Sequence, residues 1–331
     1  MDNFLDRRHP IALLPTPIER MSNLSREYGV SLYIKRDDMT GMELGGNKIR
    51  KLEYTLYQAE TEGVNALMTC GGIQSNHARA VAVAARKQGY TPYLLLRGTP
   101  PEKGLDGNLL LNTMLDAQIR WITPDQYRTD RNPIMQTWAQ ELESIGQKVM
   151  IIPEGASDST GYLGYANAGQ EIRQQAGEMG IDFDAIICAV GSGGTFGGLM
   201  LAQKLFGLKA QIMGVNVCDD APYFRQRISR VLDECIQRYQ LNFRIPQEEL
   251  MIIDGFVGPG YAVSTRDERD LMRHVARQEG IYLDPVYTGK AFWAMDHLIR
   301  TGRIAAGSTV LFIHTGGLFG LFPQGDEFIE P

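Results

Sequence analysis

The chain is poor in the features that mark several large classes of protein. It has only four cysteines, Cys70, Cys188, Cys218 and Cys235, with no CxxC pair and no regular spacing, so neither a disulfide framework nor a zinc site is indicated. Positive charge is in deficit. Lys and Arg number 33 against 39 Asp and Glu, a net charge of -6, which argues against nucleic acid or an anionic membrane surface as a principal partner. Met1 to Pro17 lacks the apolar core of a signal peptide. The long uncharged run, Ala185 to Gln203, holds five glycines with Ser192 and Thr195, which suits a buried strand, loop and helix better than a membrane span. His9, His274 and His297 have no companions at metal-ligand spacing, so no metal is expected. What remains is a cytoplasmic globular protein of 331 residues, long enough for two domains.

What is present is an alternation of short β-rich runs with helical patterns, the signature of a parallel α/β sheet. Strands are expected at Ser31–Lys35, Ala66–Cys70, Pro92–Leu96, Ile119–Thr123, Val149–Ile152, Ala185–Val190, Ile212–Val217 and Val310–Ile313, with helices between them such as Ala78–Lys87 and Ile134–Ile145. Composition shows no domain boundary; Gly98 to Gly107 is the most linker-like stretch and reads as a surface loop.

Lys48 stands where protein electrostatics disfavours it. Asn47 reads as an N-cap for a helix with the apolar stripe Ile49, Leu52, Leu56 and Ala59, so Lys48, Arg50 and Lys51 crowd its positive first turn. A lysine beside other cations and a helix N-terminus has a depressed amine pKa, as a Schiff-base nucleophile requires. The same segment also reads as a basic patch on a solvated helix end.

Ligands of open parallel sheets sit beyond the carboxyl ends of the strands, and three unusual loops fall there. Gly71-Gly72-Ile73-Gln74-Ser75-Asn76-His77 opens a helix and offers hydroxyl, amide and backbone donors for a small carboxylate, or a plain helix cap. Gly191-Ser192-Gly193-Gly194-Thr195-Phe196-Gly197-Gly198 suits a phosphate, or tight helix–sheet packing. It is not a P-loop and misses the dinucleotide pattern at Phe196, although Asp219 and Asp220 keep a nicotinamide cofactor open. His314-Thr315-Gly316-Gly317 ends the last strand with a hydroxyl able to meet a ring nitrogen. Tyr261 and Tyr287 lie on further loops, where packing and catalysis are both open readings.

Taken in order along nearly the whole chain, these segments resemble the D-cysteine desulfhydrase and 1-aminocyclopropane-1-carboxylate deaminase family of fold-type II pyridoxal-phosphate enzymes. The resemblance is carried by Ile34-Lys35-Arg36-Asp37-Asp38, Gly45-Gly46-Asn47-Lys48-Ile49-Arg50-Lys51-Leu52-Glu53, Gln74-Ser75-Asn76-His77, Gly191-Ser192-Gly193-Gly194-Thr195, Asp284-Pro285-Val286-Tyr287-Thr288-Gly289-Lys290-Ala291 and His314-Thr315-Gly316-Gly317. Val217-Cys218-Asp219-Asp220 and the stretch Gly316 to Leu321 look most like plant-type D-cysteine desulfhydrases.

The resemblance implies a tryptophan synthase β-like α/β fold with two open, twisted, mostly parallel sheets and flanking helices. A small domain, 52–160, would be inserted into a large cofactor domain made of 1–51 and 161–331. The implied cofactor is pyridoxal 5'-phosphate, linked to Lys48, with its phosphate held by Gly191, Ser192, Gly193, Gly194 and Thr195. Asn76 would bond its phenolic oxygen and Thr315 its pyridine nitrogen. Ser75, with Gln74 and His77, would bind the carboxylate of a small amino-acid substrate, and Tyr261, Tyr287 and Thr288 would line the substrate side. Asp219 and Asp220 become loop residues, and the family suggests a homodimer.

One departure separates the branches. The deaminase branch carries a glutamate where this chain has Thr288, and a carboxylate there would keep the pyridine nitrogen protonated, a stronger electron sink. The resemblance therefore implies α,β-elimination from D-cysteine. L-cysteate sulfo-lyase and cyclopropane-carboxylate deaminase are the enzymatic alternatives, and a non-catalytic pyridoxal-phosphate-binding protein is the alternative of another class.

Overall fold

Apolar runs with no polar alternation need cover on both faces, and they form the middle of the larger sheet. A computed structural model describes residues 4–102 and 104–329. Its strands are β1 (Ile18–Arg20), β2 (Ser31–Lys35), β3 (Ala66–Gly72), β4 (Thr91–Arg97), β5 (Gln118–Ile122), β6 (Val149–Ile151), β7 (Ala185–Val190), β8 (Gln211–Asn216), β9 (Ile252–Ile253) and β10 (Thr309–Ile313). Six of them form a sheet in the order β1-β2-β10-β7-β8-β9, parallel except for β1, which runs antiparallel to β2. The other four form a parallel sheet, β5-β4-β3-β6. Every residue of β7 is buried, as its sequence of five apolar residues and one cysteine dictates.

The eight strands expected from the sequence are present, with ends shifted by up to two residues. The short strands β1 and β9 carry too few residues for a period-2 signal. The stretch from Gly98 to Asp106 is a loop, with Lys103 outside the described residues, and Gly107 already opens the next helix.

Glycines bring the helices close. A Cβ on Gly164 would meet the main chain of Arg50, and one on Gly198 would meet Tyr165 and the carbonyl of Tyr162. The helix Tyr162–Met179 thus packs directly on the helix Lys48–Glu62 on one side and on Gly194–Phe206 on the other.

A buried ion cluster lies at the first of these crossings. The Arg50 guanidinium takes both carboxylate oxygens of Asp37, at 2.8 and 2.9 Å, and both of Glu171, at 2.9 and 3.0 Å. Lys35 Nζ donates to Glu171, Gln175 and the Thr16 carbonyl, and the Tyr165 hydroxyl donates to Asp37 at 2.6 Å. Burial alone would raise the Asp37 carboxyl, but Arg50 and then Lys35 and Tyr165 hold it below its ordinary value. Its contribution to stability is therefore complete at neutral pH and is lost as acid carries the pH below the usual carboxylate range. We expect Asp37→Ala to cost about 3–5 kcal/mol, because it strands a buried guanidinium. The shift in denaturant midpoint measures this; a loss below about 1 kcal/mol would show that the cluster does not anchor the helix.

Candidate active site

Strand ends deliver the site. The chain leaves β2, turns through a glycine loop and enters the helix Lys48–Glu62 beside the end of β10. Gly46 has φ +114°, and a Cβ there would sit 2.9 Å from the Thr315 carbonyl, so only glycine permits this approach. Next to it, the Asn47 N–H donates to that carbonyl at 3.1 Å. The buried Arg79 guanidinium, reaching across from the helix Asn76–Lys87, donates to the carbonyls of Glu43 and Gly45. The loop before Lys48 is thereby tied to both sheets.

Lys48 Nζ faces a cavity of about 660 Å³ and donates to Asn47 Oδ1 at 3.1 Å. It lies 5.9 Å from the centre of the Tyr287 ring. Burial pushes its amine down to about 8, against the opposing pull of Glu154 and Asp284. The depressed value agrees with the expectation from sequence, but the leading cause is loss of water rather than neighbouring cations. Asn47 differs from expectation too. Its backbone is already helical, at φ -57°, and its amide donates to Thr195 Oγ1 at 2.9 Å instead of capping the helix.

The other buried lysines are committed elsewhere. Lys35 belongs to the ion cluster, and Lys290 donates to the carbonyls of Val257 and Val263 at 2.6 and 2.9 Å. Lys51 also reaches the cavity, where its Nζ donates to the Gly155 carbonyl at 3.2 Å. Burial, and then Lys48, hold its amine well below the usual lysine value.

The glycine-rich loop divides its labour. Gly191, Ser192, Gly193, Gly194 and Thr195 line the cavity, whereas Gly197 and Gly198 face Tyr162 and Tyr165 and serve helix packing. Gly193, at φ +93°, begins the helix Gly194–Phe206 and, being glycine, has no side chain to cap it. A Cβ on Gly191 would come within 2.8 Å of the Tyr287 ring. Ser157, in the segment that follows β6, bonds Ser192 at 2.8 Å and accepts the Gly194 N–H at 3.1 Å. Asp220 caps the next helix by accepting the Tyr223 N–H, which leaves it no ribose-binding role.

Across the cavity, Ser75 caps the helix Asn76–Lys87, its Oγ accepting the Ala78 N–H at 3.1 Å. Capping uses a lone pair and leaves the hydroxyl proton to donate. Asn76 Oδ1 accepts from Asn108 at 3.0 Å, so its amide N–H groups are turned toward other partners. His77 lines the cavity, bonded to Thr69 at 2.8 Å, and burial followed by Lys48 and Lys51 keeps it neutral. Gln74 is not at the wall: its amide is spent on Asp106 and on the Asn108 N–H.

Thr315 stands at the wall where β10 ends, held by His314, which accepts the Gly316 N–H and bonds the Tyr282 carbonyl. The hydroxyls of Tyr261 and Tyr287 are bonded to each other. Burial raises both; the bond shared with Tyr287 restrains Tyr261 to about 12, while Tyr287 lies well above its ordinary value. Thr288 is also away from the wall. Its hydroxyl donates to Asp284 Oδ1 at 2.6 Å and accepts the Asp284 N–H at 2.7 Å, closing the turn that starts the helix Thr288–Arg300.

Sequence reasoning missed Lys51, Glu154, Tyr127 and Arg97 as cavity residues, and Ser157, which supports the glycine-rich loop from behind. Lys51 was legible, since it follows Lys48 by three positions and shares its helix face. The others come from a strand end, short helices and loops without a motif.

The donor set fits the phosphate-bearing aromatic aldehyde implied by the sequence resemblance. A glycine-capped helix start with the hydroxyls of Ser192 and Thr195 and the Lys51 amine suits a dianion. Gly191 and Gly194 clear the space that any Cβ would fill. An amine of reduced basicity, an amide and a strand-end hydroxyl complete the surroundings.

Comparison with known proteins agrees. The family model described as "Pyridoxal-phosphate dependent enzyme" matches residues 11–316. A putative 1-aminocyclopropane-1-carboxylate deaminase of Thermotoga maritima is 42% identical over 97% of this chain and 100% of its own. A mitochondrial bifunctional D-cysteine desulfhydrase/1-aminocyclopropane-1-carboxylate deaminase of Arabidopsis thaliana is 38% identical over 96% of this chain and 80% of its own. The crystal structure of an ACC deaminase homologue superposes with a TM-score of 0.89, at 34% identity and with 99% of each chain covered. The chain belongs to the pyridoxal-phosphate dependent enzymes of fold type II, in the group of 1-aminocyclopropane-1-carboxylate deaminases and D-cysteine desulfhydrases.

Proposed function

We propose that the protein catalyses α,β-elimination on D-cysteine or a close analogue, giving pyruvate, ammonia and hydrogen sulfide. One observation carries this choice within the group. Thr315, the residue the family resemblance would pair with the ring nitrogen, offers a hydroxyl, and Thr288 is locked onto Asp284. Among the described residues the only carboxylates lining the cavity are Glu154, which accepts the Tyr127 hydroxyl at 2.6 Å, and the exposed Asp219. A hydroxyl does not hold a ring nitrogen protonated, so the electron sink is moderate. That suffices to expel a thiolate but disfavours opening a cyclopropane.

Pyridoxal phosphate, when bound, supplies the carbonyl that links to an amine and the conjugated ring that takes up the electron pair left at Cα. The chain's residues do the rest. Ser75 and the helix start behind it hold the substrate carboxylate, which fixes the Cα–H bond relative to Lys48. The Lys48 amine, with its lowered proton affinity, takes the Cα proton. Tyr287 keeps its proton at neutral pH and supports the departing sulfur at Cβ by a hydrogen bond, with Tyr261 behind it, and the sulfide takes its proton from water after release. Hydrolysis of the released enamine consumes one water and yields pyruvate and ammonia.

The holoenzyme is expected to produce pyruvate and sulfide from D-cysteine in equal amounts, and little ketobutyrate from 1-aminocyclopropane-1-carboxylate. Comparable turnover of the cyclopropane would place the chain with its deaminase relatives and sink this reading.

The two walls have separable roles. Ser75 acts in ground and transition states alike, so Ser75→Ala should appear mainly in KM, with kcat/KM down tenfold to a hundredfold for a loss of about 1.5–3 kcal/mol. The lost cap costs about 1 kcal/mol of stability besides, so folding is checked by thermal melting. Tyr287→Phe should lower kcat with KM little changed. Loss of kcat with KM intact in Ser75→Ala would mean that the roles are reversed.

A further inference from the structure

Besides the carbonyls of Glu43 and Gly45, the buried Arg79 guanidinium meets the side chain of Asn108, which is itself fully buried on the helix Gly107–Met114. No ion pair offsets the Arg79 charge among the described residues, and the Glu43 carboxylate is taken by Lys87 at 2.6 Å. A cation buried among neutral groups costs stability. What this one fixes is the orientation of two amides in series.

Arg79 Nε can only donate, so the Asn108 atom 2.8 Å from it is the carbonyl oxygen. The Asn108 amide nitrogen then faces the other way, giving one N–H to the Gln74 carbonyl and one to Asn76 Oδ1, both at 3.0 Å. The Gln74 carbonyl can only accept, so independent partners at the two ends of Asn108 agree on its orientation. The Asn108 main chain is held as well, its N–H donating to Gln74 Oε1 at 2.7 Å. Asn76 lines the cavity, and with its Oδ1 committed to Asn108 it is left with amide N–H groups to present there. Asn76 and Arg79 share the first turn of the helix Asn76–Lys87, yet they are joined through Asn108.

We propose that Asn108, itself set by Arg79, is a positioning residue that fixes which end of the Asn76 amide meets the cofactor's phenolic oxygen. An N–H aimed at that oxygen favours its ionised form, whereas the amide carbonyl favours the protonated one. The proton that leaves the oxygen passes to the nitrogen joining the cofactor to Lys48, so none is gained or lost. The proposal extends the cofactor site and does not depend on the choice of substrate.

The test reads the absorption of the cofactor-loaded protein at one fixed pH with no substrate present. The ionised and protonated forms of the oxygen absorb at long and short wavelength, and the ratio of the two bands reports their balance. Asn108→Asp keeps the size of the side chain and the bond from Arg79 but offers Asn76 only an acceptor, so the Asn76 amide must reverse. The long-to-short ratio should fall at least about tenfold, the equivalent of one charge-assisted hydrogen bond. Asn108→Ser adds no charge and should lower the ratio by a smaller factor, which keeps the test open if the aspartate variant does not fold. In an Asn76→Ala background neither change at position 108 should move the ratio by more than about twofold, because no amide is left to reverse. An unchanged ratio in both Asn108 variants overturns the proposal. So does an equal fall with and without the Asn76 side chain, which would show that the substitution acts on the cofactor directly. Failure of the elimination reading appears only in the products formed from substrate and leaves these ratios as they are.

Discussion

The grip of Asp37 and Glu171 on the Arg50 guanidinium is the contact on which the site depends. It lies two residues from Lys48, and successive residues turn by about 100° around a helix, so Arg50 points away from the face that Lys48 occupies. Asp37 follows β2 and Glu171 sits on the helix Tyr162–Met179, so one side chain joins three segments of the larger sheet's surroundings. With that face buried and fixed, Lys48 and Lys51 have no direction left except the cavity. The unfavourable clustering of cations at a helix start is resolved by giving each a separate place: Arg50 in the ion cluster, Lys51 beside Gly155 and Lys48 facing the cavity.

Desolvation then acts on groups that this frame has positioned. The Lys48 amine loses proton affinity because the walls exclude water, and His77 stays neutral for the same reason, with the nearby amines as a second cause. The tyrosine pair is driven the other way and keeps its protons. A site that collects a weakly basic amine and two hydroxyls that stay protonated within one enclosure is suited to taking a proton off carbon while a hydroxyl hydrogen-bonds the departing group. Pairing differs among the arginines: Arg50 is matched by two carboxylates, whereas Arg97 lies against the Tyr127 and Tyr261 rings.

Much of this was legible in the sequence, for identifiable reasons. The strands appear as short apolar or β-branched runs, and the loops at their carboxyl ends carry glycine, hydroxyl and amide residues that local structure alone does not require. Lys48, Asn76, Ser75, the Gly191 loop, Thr315, Tyr261 and Tyr287 all reach the cavity wall from such positions. Gln74 and Thr288 sit inside the same motifs yet turn inward, because each completes a turn by bonding a nearby acid, Asp106 or Asp284. A motif names positions along the chain and does not say which side chain the backbone needs for itself. Asn47 shows the converse, a residue typical of helix caps whose amide instead bridges to Thr195. Tyr127, Glu154 and Arg97 were illegible because their neighbours in the chain are unremarkable; only the register of β3 with β4 and the meeting of the two sheets bring them to the site.

The central claim is that one amine, that of Lys48, carries the reactive link, and that loss of water sets its reactivity. Borohydride reduction of the cofactor-loaded protein, repeated across pH 6 to 10 during reloading and followed by peptide mass mapping, tests both parts together. The account predicts the cofactor's mass on Lys48, with the rate of attachment rising through a midpoint near 8 as the neutral amine forms. Attachment at Lys35, Lys51 or Lys290, or a midpoint at the ordinary lysine value, would contradict it.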